Sequence, residues 1–247
     1  LQTDYIDVYT MHFWDTMTPA EEVLRTMDDL VSAGKIRHYA LSNVPAWYAG
    51  LMQGLAHARG MEKCAALQLE YSLVERNLER EFVDLAIDQG MGIVAWSPLC
   101  MGLLAGRYQR DDEAEVGAVG DGRLTAIGIT NNDSMDGRFK EQSWAVVAEL
   151  EKIAEEVGRT MAQVALNWAA NRPGIASLIF GASTVEEIEE NVQALDFSLT
   201  DEQHHRLCDV SQLPLQQPYT MFTKKQVHEV AYFAQEVRDK PESFYKR

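Results

Sequence analysis

The chain contains no apolar run approaching the ~20 residues that a membrane-spanning helix needs. Its first residues also lack the basic and apolar blocks of a secretory leader. Cysteine is sparse. Cys64, Cys100 and Cys208 are odd in number, far apart and without C-x-x-C spacing. That argues against a disulfide framework and a zinc site and leads to the expectation of a reducing, cytoplasmic setting. Positive charge is also scarce: 22 Lys and Arg stand against 38 Asp and Glu, a net charge of −16. Such a surface repels phosphate backbones and anionic lipid, so neither nucleic acid nor a membrane is expected as a partner. Low-complexity segments are missing, and no strand-like run is followed by G-x-G-x-x-G, the phosphate-cradling turn of Rossmann folds.

What the chain does have is a core. Apolar residues make up 46% of 247 residues, enough for one large domain such as an α/β barrel, or two small ones. Composition marks no domain boundary, so residues 1–247 are read as one domain. Residues 5–15, YIDVYTMHFWD, are rich in aromatic and β-branched types. They read as a strand covered on both faces that delivers His12 to its C-terminal end. Thr18, Pro19, Glu21 and Glu22 then resemble a helix start, with Thr18 as N-cap and Pro19 at the first helical position. Gly34 closes that helix.

The pattern repeats. Strands are expected at 36–42, 64–71, 92–96 and 175–180, and helices at 45–59, 78–89, 139–157, 160–170 and 185–195, with another capped by Thr200. Residues 111–136, rich in Gly, Asp and Asn, read as a long surface loop. The tail after 212 reads as irregular, then weakly helical over 225–238. His204 and His205 read as solvated. Strand starts about 30 residues apart match a βαβ unit and predict a parallel sheet. Polar residues stand at the strand exits: His12, Asn43, Gln68, Ser97 and Ser183. In a parallel α/β fold those exits share one face. Taken singly, each residue has another reading: His12 a satisfied strand-end histidine, Asn43 a turn residue, Trp96 a core aromatic, and Gly181 to Ser183 a plain strand-to-helix turn.

In order along the chain, TDYIDVYTMH, GKIRHYALSN, QLEYSL, AWSPLCMGLL and FGASTVEEIEEN resemble the aldo-keto reductases. The similarity is to the branch of bacterial reductases and potassium-channel β subunits. The resemblance implies an α/β fold, the (β/α)8 TIM barrel, with this chain carrying about strands 4–8. It also implies NADP(H)-dependent reduction of small aldehydes and ketones, with a nucleotide-binding regulatory subunit as the alternative. His12 matches the histidine of the catalytic tetrad. Ser42, Asn43 and Gln68 match residues that hydrogen-bond the nicotinamide carboxamide, and Trp96 matches the aromatic that stacks on the ring. Ser97, Pro98, Leu99, Gly102 and Arg107 match the segment beside the pyrophosphate. Gly181, Ser183, Glu187, Glu190 and Asn191 match the loop and helix at the adenosine end. Met11, Trp14 and Met101 are placed near the active-site mouth.

Two departures from the family pattern follow. The tetrad's Asp, Tyr and Lys have no match here, and they would lie on strands before the one bearing His12. Further sequence is therefore expected before Leu1, and the chain alone is expected to be inactive. Glu187 stands where NADPH-preferring relatives often carry Gln or Arg. A carboxylate there repels a 2′-phosphate but accepts hydrogen bonds from a free ribose hydroxyl, so NAD(H) is an expected alternative cofactor. The substrate and the oligomeric state, including a homo-oligomer, stay open.

Overall fold

The computed structural model describes residues 1–110, 118–120, 122 and 138–231. The chain divides into two compact units, Leu1–Gln212 and Leu213–Arg247.

The first unit is built on a five-stranded sheet. Its strands are β1 (Ile6–Met11), β2 (Ile36–Ser42), β3 (Ala66–Glu70), β4 (Gly92–Trp96) and β7 (Ile175–Ile179). They lie side by side in chain order, and every neighbouring pair is parallel. Helices α1 (Ala20–Ser32), α2 (Ala46–Arg59) and α3 (Phe82–Gln89) connect the first four strands. Helices α4 (Glu141–Val157) and α5 (Met161–Ala170) precede β7, and α6 (Val185–Val192) and α7 (Asp201–Val210) follow it. A small antiparallel hairpin joins β5 (Tyr108–Arg110) to β6 (Ala118–Gly120). In the second unit a 3-10 turn, Tyr219–Phe222, precedes α8 (Lys224–Ala231).

Alternation along the strands sorts their side chains. Leu67, Leu69, Ile93 and Ala95 are buried with Leu24, Met52, Leu150 and Trp168 in the core. Their neighbours Gln68, Glu70, Val94 and Trp96 occupy the opposite face and are half-buried. Gly92 has a packing reason: a Cβ there would come within 2.9 Å of Ala176 Cβ on the adjacent strand.

The element order and most boundaries follow the sequence reading, with five corrections. The first strand is not covered on both faces: Val8 and Tyr9 are 47% and 42% exposed, and among the described residues β1 pairs only with β2. Helix α1 starts with Pro19 at the N-cap position and no side-chain cap. Thr18 instead gives its N–H to Asp15 Oδ1 at 2.7 Å, alongside that of Met17 at 2.6 Å. The helix expected over 78–89 is split into a 3-10 turn, Asn77–Arg80, and α3, because Glu81 leaves the helical region at φ −139°. Within the expected 111–136 loop, Ala118–Gly120 is a strand. The remainder of that loop, apart from residue 122, lies outside the described residues, as does the expected helix beyond 231. His204 is half-buried, with Nδ1 3.6 Å from Cys208 Sγ.

Candidate active site

Asn43 joins the exits of four strands. Its backbone adopts a left-handed conformation (φ 52°), a region that asparagine tolerates better than most residues. That twist turns the carboxamide back across the sheet edge. Its Nδ2 donates to the His12 carbonyl at 3.0 Å and to Ser42 Oγ at 2.9 Å. Its Oδ1 accepts from Trp96 Nε1 at 3.2 Å, and its backbone N–H donates to the Gln68 carbonyl at 3.3 Å. Asn43 is therefore both a turn residue and a connector, and Trp96 is held by its edge rather than buried in the core. Ser42 and Gln68 face each other in register, and the Gln68 carboxamide has no hydrogen-bond partner among the described residues. His12 itself is exposed.

This arrangement makes Asn43 a structural test point. Asn43→Ala removes three side-chain hydrogen bonds and puts alanine at positive φ. It is expected to cost about 1–3 kcal/mol of stability, measured by urea unfolding. Asn43→Gly keeps the backbone relaxed and should fall between the two. Equal stability of all three proteins would mean that the network holds nothing in place.

Beyond Trp96 the chain turns sharply. Ser97, Cys100 and Met101 have φ of 58°, 47° and 53°, and Gly102 has 105°. Three non-glycine residues in this region are strained unless their surroundings over-determine them. The surroundings here are the Ser97 carbonyl accepting from Cys100 N–H at 2.9 Å and the Leu99 carbonyl accepting from Gly102 and Leu104 at 3.0 and 3.2 Å. The Gly102 carbonyl then accepts from Arg107 N–H at 3.1 Å. Pro98 is buried and Leu99 half-buried beneath this turn.

A set of residues that the sequence did not reveal supports the same turn. Arg138 donates Nη2 to Glu70 Oε1 at 2.5 Å and Nη1 to Cys100 Sγ at 3.2 Å. Burial raises the Glu70 carboxyl above its ordinary range, against the pull of Arg138, and burial likewise raises the Cys100 thiol. Glu70 had a signal: it is two residues from Gln68 and so shares its face. Arg138 had none, being 68 residues from its partner.

A second cluster joins the end of that segment to the start of α6. Arg107 forms an ion pair with Glu187, whose Oε2 also accepts the Ser183 N–H at 2.6 Å. Thr184 caps α6 by accepting the Glu187 N–H at 3.2 Å. The Ser183 N–H, and after it Arg107, hold the Glu187 carboxyl below the usual carboxylate range, against slight burial. Gly181 is exposed beside this cluster. Glu190 and Asn191 do not join it. Glu190 is exposed and gives only its carbonyl to Gln163 Nε2 at 2.8 Å, and Asn191 is buried at 8% exposure.

Among the described residues, no group of three His, Cys, Asp or Glu could hold a metal ion, and no helix is long and apolar enough to cross a membrane. Parallel strands in chain order, alternating with helices and bringing polar residues together at their C-terminal ends, define the arc of an α/β barrel. The sequence profile of the Aldo/keto reductase family matches residues 1–212, and the chain belongs to that family, whose fold is the (β/α)8 barrel. It is 30% identical over 224 residues to an aryl-alcohol dehydrogenase [NADP(+)] of Phanerodontia chrysosporium, covering 90% of this chain and 56% of that protein. It is 31% identical over 199 residues to the versiconal hemiacetal acetate reductase of Aspergillus parasiticus, covering 81% and 55%. A probable voltage-gated potassium channel subunit beta of Arabidopsis thaliana is 31% identical over 201 residues, covering 79% and 58%. The chain thus spans about half the length of the curated relatives it matches.

Proposed function

We propose that this chain serves NAD(P)H-dependent reduction of aldehydes and ketones to alcohols, holding the nucleotide along the strand exits and presenting His12 to the carbonyl. The observation that carries this reading is the Asn43 network, which gathers His12, Ser42, Gln68 and Trp96 at one edge. The residues fit a pyridine nucleotide. A carboxamide both donates and accepts, as do Asn43 and Gln68, and the Gln68 side chain has capacity to spare. Trp96 offers a flat ring whose orientation is held through its N–H. The strained turn from Ser97 to Gly102 and the capped start of α6, with Gly181 and Ser183, suit the pyrophosphate and adenosine ends.

When bound, the nicotinamide supplies the hydride. The chain's own contribution is to fix which ring face is offered, through Ser42, Asn43 and Gln68, and to orient the carbonyl with His12. The proton donor is assigned to a tyrosine, with its lysine and aspartate, outside these 247 residues.

Glu187 tunes the choice of cofactor. Its carboxylate already takes up the Ser183 N–H and the Arg107 guanidinium, which leaves less positive potential for a 2′-phosphate. NADP(H) is the family's default, and NAD(H) is expected to bind with comparable affinity. A fluorescence titration of the chain with NADPH and NADH checks this. Glu187→Gln should shift the preference toward NADPH by roughly tenfold. An unchanged ratio would remove Glu187 from the argument.

A second reading is favoured by the channel-subunit relative: a nucleotide-binding regulatory subunit that turns substrate over poorly or not at all. The two readings separate in the protein that also carries the tetrad's Asp, Tyr and Lys. Rapid NADPH oxidation with a simple aldehyde supports the reductase, and tight binding without turnover supports the subunit. Failure to bind either nucleotide would defeat both.

A further inference from the structure

Glu70 is the last residue of β3, and a charge there stands next to Trp96. It shares a face with Gln68 and is the register partner of Trp96 on β4, one strand spacing of about 4.8 Å away. β3 runs between β2 and β4. Trp96 Nε1 donates to Asn43 Oδ1 at 3.2 Å, beyond the end of β2, so the indole reaches across the exit of β3. Glu70 Oε1 accepts from Arg138 Nη2 at 2.5 Å, and the two side chains are 23% and 12% exposed.

The two charges balance each other. Among the described residues Arg138 pairs with no other carboxylate, and its Nε is buried without a hydrogen-bond partner. Its remaining contact is Cys100 Sγ at 3.2 Å, a thiol that burial pushes above its ordinary value and so keeps uncharged. Burial also raises the Glu70 carboxyl, Arg138 opposes that rise, and Glu75 adds a smaller push upward. Water screens such a largely buried pair weakly, so a net charge left on either member acts over several ångströms. Oxidised and reduced nicotinamide have nearly the same shape and differ by one positive charge on the ring. A neighbouring charge therefore tells them apart where a packing contact does not.

We propose that the Glu70–Arg138 pair sets the relative affinity of the site for oxidised and reduced nicotinamide dinucleotide. Glu70 cancels the Arg138 charge, so the cationic oxidised ring is admitted, and Arg138 keeps the carboxylate from holding that ring too tightly. The pair acts through charge and needs no direct contact with the nucleotide. The proposal rests on the reading that the strand exits hold the nucleotide, and it names what balances the two oxidation states there.

Isothermal titration calorimetry of the full chain with NADP+ and NADPH tests it, near pH 8.5 and so above the ordinary carboxyl range. The two probes differ at the ring alone, so the adenosine end and Glu187 cancel from the ratio of their Kd values. Glu70→Gln leaves Arg138 uncompensated and should raise Kd(NADP+)/Kd(NADPH) about fivefold. Arg138→Met leaves the carboxylate and should lower the ratio about fivefold. The double variant is neutral again and should return to within about twofold of wild type. A pair that only braces the fold would weaken both probes alike and move no ratio. Circular dichroism checks folding, and where one single variant unfolds, the other and the double variant decide. A folded single variant with the wild-type ratio, single variants that shift in the same direction, or a double variant that keeps a single variant's shift overturns the proposal. Binding of both probes by the wild type then leaves the nucleotide reading standing. A wild-type chain that binds neither probe defeats that reading and this proposal together.

Discussion

Trp168→Ala is expected to destabilise the chain by about 3–5 kcal/mol, the usual cost of truncating a buried aromatic. Trp168 lies on α5 with no exposed surface. Tyr71 stacks on it at 5.6 Å, and the guanidinium groups of Arg76 and Arg172 lie 5.3 and 5.2 Å from its ring. Its Nε1 donates to Cys208 Sγ at 3.4 Å. An ordinary core truncation leaves a cavity lined by hydrocarbon. This one also strips the aromatic face from two partly buried cations, so the upper part of the range is expected. At about 2–4 °C per kcal/mol for a domain of this size, Tm should fall by roughly 6–20 °C. A loss below about 1 kcal/mol would show that the surrounding residues collapse into the space. Thermal and urea unfolding measure both quantities.

Arg76→Met should be comparably severe, about 3–5 kcal/mol, because it breaks a buried ion pair from one side. Arg76 is only 6% exposed. Its Nε and Nη2 hold both oxygens of Glu79, at 2.9 and 2.8 Å. Its Nη1 donates to the Cys208 carbonyl at 2.8 Å and to Ser211 Oγ at 2.7 Å, at the C-terminus of α7. One side chain therefore ties the turn after β3 to a helix more than 130 positions along the chain. Without it, Glu79 keeps the Tyr71 hydroxyl at 2.5 Å and the more distant Arg172 at 3.4 Å.

Burial by itself would raise the Glu79 carboxyl, but hydrogen bonds from Arg76 and Tyr71 outweigh it and leave the group below its ordinary range. A carboxyl depressed in the folded state stabilises fully above its unfolded value, about 4.3, and loses that contribution as pH falls through the folded value. The penalty for Arg76→Met should therefore be larger near pH 7 than near pH 3.5. Urea midpoints at the two pH values check the sign, and an equal penalty would assign the effect to packing of the Arg76 stem.

Much of the candidate site was readable before the structure because each strand exit is a local event. His12, Asn43, Gln68 and Trp96 each stand where a run of apolar alternation stops, and parallel strands must finish on one edge. The exposure of β1 was not readable, because a run of aromatic and β-branched residues looks the same at an edge as in the middle of a sheet. Glu190 and Asn191 stand within a motif that resembles the family's, yet among the described residues neither bonds to the Arg107–Glu187 pair; Glu190 is exposed and Asn191 buried. Arg138 had no local signature because its partner Glu70 lies 68 residues away in the chain, although Glu70 itself shares a face with Gln68.

By itself, the amino-acid sequence determined the kind, order and approximate limits of the elements. Period-two and helical patterns, Thr160 and Thr200 as caps, and glycines such as Gly60 and Gly158 at helix ends act through hydrogen bonds spanning only a few residues. Only the tertiary structure decided that Asn43 reaches Trp96 across 53 positions, that Arg107 meets Glu187 across 80, and that Arg76 meets Ser211 across 135. Such pairs form where two backbones converge in space, and that convergence is set by the whole sheet rather than by either partner's neighbours in the chain.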